Sequence, residues 1–320
     1  MKKILIVGCG NIGSRHLQSL LDSTNIAFDI TVVEPNEITL NNAKSVFSIT
    51  NDLHHNITWF SNILDLTDSY DFTIVATQAT NRYQLVNQLL ENGNRRFLIE
   101  KMVCQSISEY KKILECFKKY EAKGWVNTNF RYFSFYQKLV KYFSKNISLK
   151  FVIVGGDKGL GSNAIHFLDL FLWFTNSDTI FLNGDNLTEK LLPNKRSLEL
   201  IEFSGIITGK TNESSISINF SNKFENSIII EISNFEHHIR IDTDKSIITK
   251  IRGLDDFFED FKFQHTSELT KKIVSHVLQT DTCNLPLLDD LYLIHSELFR
   301  IFNLHIKKLT NKEPDVCPIT

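Results

Sequence analysis

Residues 4–13 read Ile-Leu-Ile-Val-Gly-Cys-Gly-Asn-Ile-Gly, and this stretch decides the expected fold of the N-terminal part. The uninterrupted apolar run 4–7 is typical of a strand buried on both faces of a parallel sheet. A glycine-rich turn follows it, and then a helical pattern with Ile12, Leu17 and Leu20 on one face. A strand, a turn and a helix in this order predict the first unit of an α/β fold.

Three further apolar runs repeat this pattern. Strands are predicted at 30–33, 72–76 and 97–99, with helical segments between them. Strands that alternate with helices indicate right-handed crossovers, and therefore a doubly wound parallel sheet.

The pattern changes after about residue 123. We predict strands at 125–130 and 149–154 and helices at 135–145 and 163–174. Five strands are then predicted at 198–207, 215–220, 228–233, 238–241 and 246–251. Two closing helices are predicted at 257–278 and 287–308. The strands from 198 onward have no helix between them, which indicates an antiparallel meander. An α+β domain is therefore expected to follow the α/β domain.

The composition is globular, with 42% hydrophobic and 22% charged residues and a net charge of −2. No basic field favours nucleic acid or an anionic membrane. No uncharged apolar run reaches the roughly 18 residues of a membrane helix, and Met1 is not followed by a signal peptide. We expect a soluble, cytoplasmic protein without a nucleic-acid or membrane partner.

Cysteine and histidine patterns indicate no metal site. The five cysteines are scattered and form no C-x-x-C pair, which predicts free thiols in a reducing compartment. The pairs 54–55 and 237–238 are adjacent histidines without a third ligand at metal spacing, so we predict that both pairs lie on the surface.

Gly8, Gly10 and Gly13 match the pattern G-x-G-x-x-G. The pattern is weak alone, but here it follows a strand and opens a helix. Gly8 permits the tight turn, Gly10 presents no Cβ to a pyrophosphate, and Gly13 lets the helix pack close to the sheet. The N–H groups of the helix start, at Asn11 and Ile12, would then point at the anion. Dinucleotide binding is the prediction.

Glu34 ends the second predicted strand, 21 residues after Gly13. A carboxylate at this place accepts hydrogen bonds from the adenosine ribose hydroxyls and repels a 2′-phosphate. NAD is therefore favoured over NADP. The alternative is that Glu34 is an N-cap or a surface acid.

Glu100 and Lys101 follow the strand 97–99 at its C-terminal end, where α/β sheets place ligands. A lysine there can bond a substrate hydroxyl and stabilise an oxyanion during hydride transfer. Taken alone, such a Glu-Lys pair is more often a solvated surface pair.

Several segments in the right order now resemble the glucose–fructose oxidoreductase / inositol dehydrogenase / MocA (Gfo/Idh/MocA) family. They are Gly-Cys-Gly-Asn-Ile-Gly-Ser-Arg-His at 8–16, Val-Ala-Thr at 75–77, Glu-Lys at 100–101, Asn-Phe-Arg-Tyr at 129–132, Gly-Ser-Asn-Ala-Ile-His-Phe-Leu-Asp at 161–169, and the closing pattern from Ser-Glu-Leu at 267–269 to Cys-Asn-Leu-Pro at 283–286. The resemblance covers nearly the whole chain.

The resemblance implies a Rossmann domain, which we place at 1–122, and a C-terminal α+β domain at 123–320 with an open, largely antiparallel sheet. The second domain would bind substrate and mediate oligomers. Because the closing helices cannot cover both faces of the sheet, we expect a homodimer or homotetramer. The implied activity is NAD(P)-dependent oxidation or reduction of a hydroxyl on a sugar, a cyclitol or a related compound.

The resemblance also assigns residues by position. Lys101 matches the catalytic lysine of the family, and His166 matches its general acid/base. We expect cofactor contacts from Gly8, Gly10, Asn11, Ile12, Gly13, Glu34, Thr77, Gln78 and Glu100, and substrate contacts from Arg131, Asn163 and Asp169.

Four positions depart from the family pattern. Gln78 and Met102 replace prolines, and Arg82 stands where histidine is common. Ser162 stands where many members have an aspartate, four residues before His166. The proton relay is therefore left open.

His166 and Asp169 are neighbours on one face of an otherwise apolar helix. A polar pair in such a stripe needs partners, which a ligand pocket would provide. The alternative is a core histidine bonded to Asp169.

The expected function is an NAD-dependent oxidoreductase acting on a sugar or nucleotide-linked sugar, with a place in surface-polysaccharide synthesis resting on family analogy. One alternative is a glycoside-cleaving enzyme that oxidises and re-reduces its sugar with tightly held NAD. Another is a dinucleotide-sensing regulator without catalysis. Retention of Lys101 and His166 argues against the regulator, and Ser162 leaves it open.

Overall fold

The structure is a computed structural model that describes residues 1–47, 55–143, 148–194, 197–211, 213–224 and 227–320. Its first sheet consists of six parallel strands. The strands are β1 (Lys2–Val7), β2 (Phe28–Val33), β3 (Asn56–Phe60), β4 (Phe72–Val75), β5 (Arg96–Ile99) and β6 (Lys123–Val126), and the helices in this part are α1 (Asn11–Leu21), α2 (Glu37–Phe47), α3 (Arg82–Glu91) and α4 (Ile107–Lys119). The strand order is β3-β2-β1-β4-β5-β6, which confirms the doubly wound fold. The order reverses between β1 and β4, where such sheets bind ligands.

A second sheet of seven strands follows. Its region contains α5 (Ser134–Phe143), β7 (Lys150–Gly155), α6 (Leu160–Thr175), β8 (Phe181–Leu187), β9 (Leu192–Pro193), β10 (Ile201–Glu202), β11 (Gly205–Lys210), β12 (Ser215–Phe220), β13 (Ile229–Ser233), β14 (His238–Asp242) and β15 (Ile247–Arg252), and the chain closes with α7 (Thr266–Thr280) and α8 (Leu288–Thr310). The sheet order is β15-β14-β13-β7-β12-β11-β8, while β9 pairs with β10 separately. The sheet is mostly antiparallel, as predicted.

The prediction of a simple meander is wrong. β7 lies between β12 and β13, parallel to the first and antiparallel to the second. Its alternate residues Phe151 and Ile153 are buried, and the Phe151 ring packs on Phe171 and Phe174 of α6. A strand buried beneath a helix takes the central place of the sheet, and spacing along the chain does not reveal this.

Some predicted bounds are also wrong. The strand predicted at 198–207 is broken, because Leu198 is exposed and Gly205 has a φ of +107° at the start of β11. The first closing helix begins at Thr266 and not at Phe257, which packs its ring on Phe135. The strand predicted at 125–130 ends at Val126. Residues 144 and 145 of the predicted helix lie outside the described residues.

Contacts divide the chain into two compact units. Unit 1 comprises residues 1–104, 108–127 and 264–289, and unit 2 comprises 105–107, 128–263 and 290–320. Helix α7 therefore belongs with the first sheet, where it packs along α1. His16 bonds Thr270 at 2.8 Å between Nδ1 and Oγ1, and the Lys271 N–H donates to Ser19 Oγ at 3.0 Å.

The prediction that the histidine pair at 54–55 lies on the surface is wrong for His55, and His54 lies outside the described residues. His55 is buried against the Phe28 ring. Its Nδ1 accepts the Phe28 N–H at 3.1 Å and its Nε2 donates to Ser23 O at 2.9 Å. His237 and His238 are half-buried. Within the described ranges, no three or more His, Cys, Asp or Glu side chains are grouped to hold a metal ion.

No helix in the described part of the chain is both long and apolar enough to cross a membrane.

Candidate active site

The glycine turn between β1 and α1 has the shape of an anion cradle. Gly8 has a φ of +88°, which side chains rarely adopt. A Cβ on Gly13 would lie 1.9 Å from the Gly8 carbonyl oxygen, so only glycine lets α1 start this close to the turn. A Cβ on Gly10 would meet nothing within 4 Å, which leaves open space beside the N–H groups of Asn11 and Ile12. This space and these donors fit a pyrophosphate.

Glu34 is buried beside this turn. Its Oε2 accepts the Cys9 N–H at 2.7 Å, and its Oε1 accepts the Asn36 N–H at 3.0 Å. Asn36, and not Glu34, caps the first turn of α2 by accepting the Thr39 N–H at 2.9 Å. The carboxylate is therefore held at the end of β2 against the glycine turn, the place that suits an acceptor for ribose hydroxyls.

Thr77 follows the end of β4, next to the same turn. A Cβ on Gly8 would lie 3.0 Å from the Thr77 nitrogen. The Thr77 Oγ1 is buried, and no residue that the structure describes bonds it. Because a buried hydroxyl without a partner is costly, this atom suits a ligand contact. The next residue, Gln78, is exposed.

Glu100 and Lys101 lie at the end of β5, and both are 8% exposed. Glu100 Oε1 accepts hydrogen bonds from His16 Nε2 at 3.0 Å and Asn127 Nδ2 at 2.5 Å. Burial alone would raise the pKa of Glu100, but the bonds from His16 and Asn127 and the charge of Lys101 outweigh it and lower this pKa to about 2. Glu100 is therefore a fixed negative charge next to Lys101. The Lys101–Met102 peptide bond is cis.

Sequence reasoning did not single out Asn127, which directly follows β6 and is 5% exposed. Its amide nitrogen bonds Glu100, while its Oδ1 is buried without a partner among the described residues. An asparagine at a strand end carries no distinctive sequence signal, so the structure was needed to find it.

A second polar constellation lies in unit 2, around α6. Asp169 is fully buried, and its Oδ2 accepts the Thr128 hydroxyl at 2.7 Å. Arg131 Nε lies 3.0 Å from both carboxylate oxygens, and Arg131 Nη2 lies 2.5 Å from Oδ1. Burial raises the pKa of Asp169, and the Arg131 charge opposes this rise. Asp169 thus fixes the orientation of the Arg131 guanidinium.

His166 is half-buried, and its Nδ1 donates to the Thr128 carbonyl oxygen at 2.7 Å. Because a carbonyl oxygen only accepts, Nδ1 carries a proton, and Nε2 is the ring nitrogen left to exchange one. The alternative of a core histidine bonded to Asp169 is wrong, because Asp169 bonds Thr128 and Arg131 instead.

A carboxylate from another element lies beside Ser162. Glu202 of β10 is 8% exposed, and its Oε2 accepts the Ser162 hydroxyl at 2.6 Å. A Cβ on Gly159 would lie 2.1 Å from Glu202 Oε2, and a Cβ on Gly161 would lie 2.4 Å from Glu202 Oε1. A cavity of about 440 Å³ is lined by Ser162, Asn163 and Glu202 among others. Sequence reasoning missed Glu202, which lies forty positions after Ser162.

The predicted site residues are divided between the two units. The cofactor candidates and Lys101 lie in unit 1, while His166, Arg131, Asn163 and Asp169 lie in unit 2. Together, the doubly wound sheet, the glycine turn and the buried acid at the end of β2 define a dinucleotide-binding protein.

Comparison with known proteins makes the class more specific. Residues 2–128 match the GFO_IDH_MocA model, which describes the oxidoreductase family with an NAD-binding Rossmann fold. Over these residues, the match confirms the resemblance to the Gfo/Idh/MocA oxidoreductases found in the sequence. No curated protein matches the chain.

Solved structures share the fold along nearly the whole chain. The UDP-N-acetylglucosamine 3-dehydrogenase GnnA from Acidithiobacillus ferrooxidans has a TM-score of 0.71 at 10% identity, covering 96% of this chain and 98% of its own. A dehydrogenase (MviM) from Clostridium difficile has a TM-score of 0.68 at 16% identity, covering 93% and 97%. An oxidoreductase from Agrobacterium radiobacter, in complex with NAD+, L-tartaric acid and magnesium, has a TM-score of 0.66 at 14% identity, covering 93% and 94%.

Proposed function

We propose that this protein is an NAD-dependent oxidoreductase that interconverts a hydroxyl and a keto group on a sugar or nucleotide-linked sugar. The observation that carries the proposal is the carboxyl edge of the first sheet. At this edge, the glycine turn follows β1, the buried Glu34 follows β2, and the Glu100–Lys101 pair follows β5 of the same sheet. The similarity to a UDP-N-acetylglucosamine dehydrogenase supports a sugar substrate.

The chain's own residues have distinct roles in this proposal. When bound, NAD supplies a nicotinamide C4 that accepts or donates hydride. Lys101 donates a hydrogen bond to the reacting oxygen and stabilises its negative charge. His166 takes or gives the hydroxyl proton at Nε2, because Nδ1 is engaged with Thr128 O.

Substrate binding is assigned to Arg131 and Asn163. The sequence predicts Asp169 as a third substrate contact, but we propose instead that it positions Arg131, because it is fully buried and bonds Arg131 through both oxygens. Glu202 is held at the cavity that Asn163 lines, where a carboxylate can accept hydrogen bonds from sugar hydroxyls.

The test is to incubate the purified protein with NAD+ and a panel of nucleotide sugars, free sugars and cyclitols while following NADH absorbance. Net NADH with at least one of them is the expected result. Copurified NAD together with sugar cleavage and no net NADH would favour the glycoside-cleaving alternative instead. NAD binding without conversion of any compound would favour the regulator.

Cofactor choice gives a further prediction. NAD(H) should bind at least tenfold more tightly than NADP(H), a difference of roughly 1.4 kcal/mol or more, because Glu34 accepts bonds from the ribose diol and repels a 2′-phosphate. Fluorescence titration of NADH and NADPH measures both affinities. The Glu34→Gln variant should lose most of the preference, while Glu37→Gln, at the exposed start of α2, should keep it. Equal affinities in the unaltered protein would contradict this role of Glu34.

We also propose a homodimer or homotetramer formed through the second sheet. One face of this sheet buries Phe151 and Ile153, while Val152, Val154 and Ile229 of alternate positions remain half-buried. Covering these apolar residues with a second copy would remove them from water. Sedimentation at micromolar concentration should therefore show a dimer or a tetramer, and a monomer would contradict the proposal.

A further inference from the structure

Arg82, the first residue of α3, is fully buried. Its guanidinium donates to the carbonyl oxygens of Thr77, Glu100, Met102 and Val103. These acceptors come from two segments, the one that follows β4 and the one that follows β5. The second segment includes Lys101, which lies between two of the bonded carbonyls.

A guanidinium group is well suited to bind several carbonyl oxygens. Its donors lie in one rigid plane and can reach several carbonyls at once, whereas an ammonium group is a compact point charge. Burial lowers the pKa of Arg82 to about 10, while the charge of Glu100 opposes the fall. The side chain is therefore a buried cation at neutral pH, and the carbonyl oxygens compensate for its lost hydration.

We infer that Arg82 is a positioning residue that holds the segment 100–103, and with it the Lys101 ammonium, in the arrangement needed for turnover. This inference rests on the proposed function, in which Lys101 is catalytic. Arg82 acts through the carbonyl oxygens and not through the substrate. Thr77 O is bonded by the same guanidinium, so the segments after β4 and β5 are fixed to each other.

Two variants and a matched control test the inference. Arg82→Met keeps an unbranched stem and removes every donor, while Arg82→Lys keeps the charge and some of the donors. Arg95→Met is the control, because Arg95 also bonds two carbonyls, Leu90 O and Asn94 O, but directly before β5 at the opposite end of the strand.

The first readout needs no substrate. Competitive acetylation followed by mass spectrometry measures how accessible each lysine is in the folded protein. Lys101, 8% exposed, should be acetylated about tenfold faster in Arg82→Met, less so in Arg82→Lys, and at the unaltered rate in Arg95→Met. Unchanged Lys101 labelling in a folded Arg82 variant would overturn the inference. If Arg82→Met does not fold, Arg82→Lys decides.

The second readout is a double-mutant cycle with Lys101→Ala. Arg82→Lys should lower kcat about a hundredfold, the scale of a misplacement of about 1 Å, with little change in NADH affinity. In the Lys101→Ala background, Arg82→Lys should lower kcat almost no further, since Arg82 acts through Lys101. An equal fold decrease in kcat in both backgrounds would overturn the inference. If the unaltered protein converts no compound, the proposed function fails, and the labelling still tests Arg82.

Discussion

Lys101→Ala should lower turnover by about a hundredfold or more, because it removes the donor that stabilises the developing alkoxide. NAD affinity should change little, since the glycine turn at 8–13 provides the cradle for the pyrophosphate. Steady-state rates and NADH titration on the same preparation separate the two effects. Lys111→Ala, an exposed position on α4, is the control and should keep the full rate. A Lys101→Ala variant with more than half of the normal rate would remove Lys101 from catalysis.

His166→Asn should flatten the limb of the rate–pH profile nearest neutrality, because histidine is the side chain that ordinarily titrates there. Asparagine can still donate to Thr128 O, so the loss is confined to proton transfer and the turnover rate should fall by about a hundredfold. The measurement is kcat against pH for both proteins.

The control for this variant is His238→Asn, on β14 of the same unit, which should leave the profile unchanged. A His166→Asn profile that keeps its limb would contradict the assignment. A fall in thermal stability in proportion to the fall in activity would show instead that His166 is a structural histidine.

The strands and the glycine turn of unit 1 could be predicted from the sequence because their signals are local. Each buried parallel strand is a short apolar run, and the tight turn needs glycine at positions 8 and 13 for reasons that lie within a few residues. The position of Glu34 beside the glycine turn could also be predicted, because the strand ends of such a sheet meet at one edge.

Other features depend on contacts between distant residues. β7 pairs with strands more than sixty positions later, and Glu202 reaches Ser162 from forty positions away. The return of α7 to α1 rests on bonds such as that between His16 and Thr270. Periodicity along the chain does not register such pairings, so the placement of β7 and the carboxylate beside Ser162 were found only in the structure.

The most direct test of the proposed hydride transfer traces the hydrogen that passes from the sugar to NAD+. The protein is incubated with NAD+ and a nucleotide sugar deuterated at its ring carbons, and the nicotinamide product is analysed by mass spectrometry. We expect NADH that carries one deuterium at C4 together with an equal amount of keto-sugar, and loss of both products in Lys101→Ala. NADH without deuterium, or a sugar that is cleaved while no deuterated NADH is released, would contradict it.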